Sequence, residues 1–161
     1  MNKIKRYCFN SSVFITSWRI YYSPESFSPL WAKFAELINE GRICVPKEVE
    51  KEIINGKDDL AEWFKKQKEC VKPYTKEQLA IVQEIVGIYP KVSQYHKVRP
   101  FHADPFIVAL AKVENLAVVT FEGNNGSSDN PSIPLLCSQQ GVKCITLSGF
   151  FKEESISFQL S

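Results

Sequence analysis

A chain of 161 residues, 44% of them hydrophobic and 24% charged, is long enough to fill one core and too short for two ordinary domains. Its formal net charge of +2 neither demands nor excludes an anionic partner, so a case for nucleic acid must rest on where the charges stand. The longest uninterrupted apolar run, Phe106 to Ala111, falls far short of the roughly 20 residues that span a bilayer, and no membrane role is expected.

Lys3, Lys5 and Arg6 precede a partly apolar run, as in a secretory signal. Asn10, Ser11, Ser12, Thr16 and Ser17 interrupt that run, no small-residue cleavage site follows, and no signal is expected. The five cysteines, Cys8, Cys44, Cys70, Cys137 and Cys144, form no Cys-x-x-Cys pair, and their count is odd. They read as small hydrophobes in a reducing, cytoplasmic compartment.

In chain order, Arg6 to Ile15 reads as a strand that ends near Asn10, where Asn-Ser-Ser turns the chain into a short helix. Leu30, Phe34, Leu37 and Ile38 have helical spacing, and Gly41 stops that helix. A second strand, Arg42 to Val45, follows at once. Pro46 opens a further helix, with Glu48 and Glu52 four apart on one face. Asp58 to Cys70 is amphipathic, with Leu60, Trp63 and Phe64 inward and Lys65, Lys66 and Lys68 on a solvated face. Thr75 starts another helix with a capping-box pattern, Thr-Lys-Glu-Gln, carrying Leu79, Val82, Ile85 and Val86.

The stretch from His102 to Thr120 organises the rest. Asp104 suits an N-cap and Pro105 the first helical position. From Phe106 to Val113 only Lys112 is charged, so this helix must lie inside a layered core. Leu116 to Val119 then reads as a central parallel strand. Glu122 to Pro134 is rich in Gly, Asn and Ser and reads as a functional loop. A last strand, Lys143 to Leu147, and a short helix, Gly149 to Glu154, close the chain. The alternation predicts one α/β domain over residues 1–161: three layers, with a central parallel sheet of about four to five short strands flanked by helices.

Polar groups expected at strand ends or helix starts are Asn10, Glu48 and Glu52, Asp104, and Glu122. Ligands in open α/β sheets gather at the carboxyl ends of strands. Carboxylates meeting there repel one another, and a hard divalent cation, Mg²⁺ or Mn²⁺, is the usual remedy. Such an ion suits phosphodiester hydrolysis. Lys91, Lys97 and Arg99, interleaved with Tyr95 and His96, are expected to line the approach of RNA to Asp104. His96 and His102 are weaker candidates, since no second histidine stands at helical metal-binding spacing.

The segments Tyr-Cys-Phe-Asn-Ser-Ser from Tyr7, Val-Pro-Lys-Glu-Val-Glu-Lys-Glu-Ile from Val45 and Ala-Asp-Pro-Phe-Ile-Val-Ala-Leu-Ala from Ala103 resemble PIN-like domains. Trp31, Gly41-Arg42-Ile43, Leu60-Ala61-Glu62-Trp63 and Val118-Val119-Thr120 follow in the order of a PIN-like family of uncharacterised prokaryotic proteins. The resemblance implies a metal-dependent endoribonuclease, often the toxin of a toxin–antitoxin pair held inactive by an antitoxin protein; a homodimer is also allowed. By position, Asn10 stands where the family has its first acid; Glu52 is the second, Asp104 the third and Glu122 the fourth, with Glu48 as auxiliary ligand. Asparagine keeps an oxygen donor but loses the charge, which implies a weakened or inactive enzyme. It is nearly isosteric with aspartate, so restoring the acid is expected to alter chemistry rather than stability. The alternative is a non-catalytic PIN-like module that binds a partner protein or RNA.

Overall fold

The layering is decided by the alternation of side chains along the first strand. β1 (Tyr7–Phe9) is three residues long and wholly buried, so successive side chains must enter opposite layers. Phe9 packs on Phe14, Phe34 and Phe150, at ring-centroid distances of 5.3, 5.3 and 5.1 Å. Cys8 turns the other way, its thiol 3.8 Å from the carbonyl oxygen of Ile107.

The computed structural model describes residues 4–93, 102–121 and 131–160. Beside β1, the strands are β2 (Ile43–Pro46), β3 (Val71–Lys72), β4 (Ala117–Thr120) and β5 (Cys144–Thr146). All pairings are parallel, in the order β3-β2-β1-β4-β5. Around them the described residues form eight helices: α1 (Ser11–Thr16), α2 (Pro24–Asn39), α3 (Lys47–Asn55), α4 (Asp59–Lys65), α5 (Lys76–Ile88), α6 (Ala103–Glu114), α7 (Ile133–Gln140) and α8 (Leu147–Glu153). The fold is a three-layer α/β arrangement. Phe14, Phe34 and Phe150 bring α1, α2 and α8 onto one face of the sheet, and Ile107 brings α6 onto the other.

The apolar run of α6 is buried as expected, with Ile107 to Ala111 at most 1% exposed. Its start differs from the expectation. His102, in the left-handed region at φ 48°, is the N-cap, so Asp104 is the second residue of the helix and Pro105 the third. Asp104 is therefore no cap; its charge instead sits at the positive end of the helix dipole. Pro105 still lacks an N–H only where the helix has no partner for one.

The expected helix from Asp58 to Cys70 divides. α4 ends at Lys65, and a 3₁₀ turn over Lys68–Cys70 feeds β3, which supplies the fifth strand. The end of the expected loop before Pro134 and the residues after it contain α7. Following α1, Ser17–Tyr21 forms a π-helical turn.

This strand order fixes one special place. The chain moves outward from β1 through β2 to β3, then returns to the opposite side of β1 for β4 and β5. The carboxyl ends of β1 and β4 are thus the switch point, where connections leave in opposite directions and open a crevice. Among the described residues, no helix is long and apolar enough to cross a membrane.

Candidate functional site

Asn10 immediately follows β1, and Thr120 is the last residue of β4, so both fall at the switch point. The backbone N–H of Asn10 donates to the Val119 carbonyl at 2.9 Å, which extends the β1–β4 seam by one residue. Its side-chain Nδ2 donates to Thr120 Oγ1 at 3.1 Å. Asn10 is completely buried and Thr120 nearly so, at 0% and 1% exposure. An amide in that position must have partners, since an unpaired buried polar group costs about 1–3 kcal/mol.

Ser11 opens α1 and faces inward at 2% exposure. Its Oγ lies 2.5 Å from Glu52 Oε2 and 3.4 Å from Asn10 Oδ1. A hydroxyl has one proton to give, and the nearer, charged acceptor takes it. Glu52 comes from α3, the helix that follows β2 at the next sheet position. A polar series therefore runs from Thr120 through Asn10 and Ser11 to Glu52, joining β4, β1, α1 and α3, with a hydrogen bond at each end and the Ser11 Oγ and Asn10 Oδ1 atoms 3.4 Å apart between them. The second carboxylate oxygen, Glu52 Oε1, is buried and has no hydrogen-bond partner among the described residues.

The other expected site residues stand on further elements, are otherwise engaged or lie outside the described residues. Asp104 is half-buried in the first turn of α6. Its field reaches Cys137 on α7, whose thiol is pushed up chiefly by its contact with Cys144 and by burial, with Cys8 and Asp104 adding to this. Glu48 Oε1 accepts from Tyr74 at 2.5 Å and from Lys51 at 3.1 Å. Burial first, then this contact, pushes the Tyr74 hydroxyl above its usual range. Lys91 is exposed on a 3₁₀ turn after α5. Tyr95, His96, Lys97, Arg99 and Glu122 lie outside the described residues.

Among the described residues, no three or more His, Cys, Asp and Glu side chains are grouped as a metal cage requires. The expected convergence of Glu48, Glu52 and Asp104 into one cluster is thus not seen there; the amide at position 10 and the engagement of Glu48 leave the junction poor in acid. What the arrangement offers is a set of hard oxygen atoms, Glu52 Oε1 with the Asn10 amide oxygen beyond the Ser11 hydroxyl. Ser11 and Thr120 belong to this junction and were not among the site residues expected from the sequence. Thr120 was legible as a strand end; nothing marked Ser11.

The chain matches the family described as a domain of unknown function (DUF4411) over residues 7–158. It belongs to that family. The match runs from the first residue of β1 to beyond α8, so in this DUF4411 chain all four members of the polar series and Asp104 lie inside it. No curated protein matches the chain.

Proposed function

We propose that this DUF4411 chain is a metal-dependent endoribonuclease of PIN-like type, attenuated by Asn10, with RNA as its substrate. The observation that carries this reading is the unpartnered, buried Glu52 Oε1 at the switch point. A buried carboxylate oxygen without a partner is costly, and the cost falls if a cation binds it. The donors are carboxylate and amide oxygens, hard ligands that fit Mg²⁺ or Mn²⁺ and not soft metals. Glu52 and Asn10 would hold the ion, with Asp104 contributed by α6. The chemistry such an ion supplies is charge neutralisation at a phosphodiester and acidification of water.

The protein's own part is positioning. Ser11 holds Glu52 by Oε2 and leaves Oε1 without a hydrogen-bond partner among the described residues, while Thr120 accepts from the amide of Asn10. A neutral amide holds a dication more weakly than a carboxylate, which accounts for attenuation. Asn10→Asp is expected to produce Mn²⁺- or Mg²⁺-dependent cleavage of single-stranded RNA. A chelator should abolish it, and adding Asp104→Ala should remove it and exclude a contaminating nuclease. If the Asn10→Asp protein binds metal, stays folded and leaves varied RNAs intact, the nuclease reading fails.

One observation favours a second reading, a non-catalytic module that binds a partner protein or RNA. The Asn10 amide is built into the β1–β4 seam through Thr120, a structural use that needs no metal. In that case Asn10→Asp gains no activity.

A further inference from the structure

Resting on the ribonuclease reading, a second feature shows how a substrate reaches the junction. α3 and α4 enclose a groove of about 780 Å³ whose walls carry five lysines against two glutamates. Lys51 is paired with Glu48 and Lys65 with Glu62. Lys57, Lys66 and Lys68 are exposed and have no carboxylate partner among the described residues. Three positive charges thus face one groove in a chain whose formal net charge is only +2. Lysines on flexible stems suit a phosphate backbone, whose contacts are point charges and carry no base sequence.

An ion pair ties the π-helical turn to the chain beside the groove. Arg19 reaches from that turn to Asp58, the neighbour of Lys57, at 2.8 Å. Two residues on, Tyr21 is 58% exposed, and its ring lies 5.7 Å from that of Phe121. Phe121 directly follows Thr120, whose hydroxyl holds Asn10. The Arg19–Asp58 pair thus links the border of the charged groove to the turn whose Tyr21 ring stands beside the residue that follows Thr120. That pairing of cations with a stacking ring is how single-stranded nucleic acids are bound without sequence preference. An acidic protein segment would use the lysines but has no need of the open tyrosine face. A duplex would leave that face unused, because its bases are already stacked.

We infer that single-stranded RNA occupies the α3–α4 groove, its backbone along Lys57, Lys66 and Lys68 and its leading base stacked on Tyr21 as it enters the Asn10–Glu52 junction. The test is fluorescence anisotropy with a labelled oligouridylate in the presence of a chelator, so that no cleavage occurs. The proteins compared are the wild type, the triple variant Lys57→Ala, Lys66→Ala, Lys68→Ala, and the single variants Tyr21→Ala and Tyr21→Phe. Circular dichroism melting confirms that each is folded; all the altered side chains are exposed.

Removing three phosphate contacts should make the slope of log affinity against log salt shallower by about 2. Tyr21→Ala should weaken binding about tenfold, while Tyr21→Phe, which keeps the ring, should bind as the wild type does. An unchanged salt slope, or equal losses in Tyr21→Ala and Tyr21→Phe, would overturn the inference. So would polyglutamate displacing the RNA at equal charge concentration, which marks an acidic protein as the occupant. Because binding is read without metal, its failure is distinct from a failure of cleavage by Asn10→Asp.

Discussion

Asn10 is the residue on which the proposed chemistry turns, and its burial changes what a substitution there should do. Near-isosteric shape predicts that Asn10→Asp leaves stability untouched. The position is fully buried, however, and a carboxylate there would stand one serine hydroxyl away from Glu52. Two carboxylates in a poorly hydrated crevice repel each other, and neither is repaid by solvent. Thr120 can turn its hydroxyl to donate to the new carboxylate, which offsets part of this cost. Without divalent metal, Asn10→Asp should therefore unfold more easily than the wild type, by about 1–3 kcal/mol in urea titration. Mn²⁺ should restore most of the loss, since a ligand that binds only the folded state stabilises it. An equal effect of Mn²⁺ on both proteins would show that position 10 is not a ligand. Asn10 and Glu52 were both legible in the sequence, as a polar residue ending the first strand and an acid on the helix after the second. Their junction was not, because Ser11 is an ordinary serine and its partner Glu52 is 41 positions away.

At the level of elements, some helix starts were readable, although α6 begins two residues earlier than expected, with His102 and not Asp104 as its cap. Asp58 and Thr75 both cap as their sequences imply, accepting from the backbone N–H of Ala61 at 3.0 Å and of Gln78 at 3.1 Å. Asp58 also ties α4 to the π-helical turn through Arg19. Burial alone would raise its pKa, but Arg19 and the backbone donors outweigh burial and hold it below its ordinary value. A carboxylate depressed in the folded state stabilises the protein above its unfolded pKa, near 4, and loses that contribution as pH falls through the folded value. Asp58→Ala should thus cost about 1 kcal/mol at pH 7, and the gap to the wild type should narrow as pH falls below the unfolded value. A gap that stays constant from pH 7 to pH 3 would show that the charge is not what matters. Less legible were the elements with weak patterns. β3 is two half-buried residues, Val71 and Lys72, with no apolar run to announce it. The start of α7 is hidden behind a Gly-, Asn- and Ser-rich stretch, although Pro134 inside its first turn and Gly141 at φ 70° after its last are ordinary helix boundaries.

Across the whole molecule, the alternation of strands and helices sufficed to imply a three-layer parallel sheet, because each short apolar strand needs cover on both faces. The order β3-β2-β1-β4-β5 was not contained in any local pattern. It is this order that sets Asn10 against Thr120, 110 positions apart, and creates the switch point at which Glu52 arrives from the helix after the neighbouring strand. The site is thus a product of the folded sheet and exists only with it. The property proposed for it, a divalent cation held at the Asn10–Glu52 junction, is tested most directly by calorimetric titration of Mn²⁺ into the wild type, Asn10→Asp and Glu52→Gln. The account predicts weak binding to the wild type, binding roughly tenfold tighter or more to Asn10→Asp, and none to Glu52→Gln. Identical Mn²⁺ binding by all three proteins would contradict it.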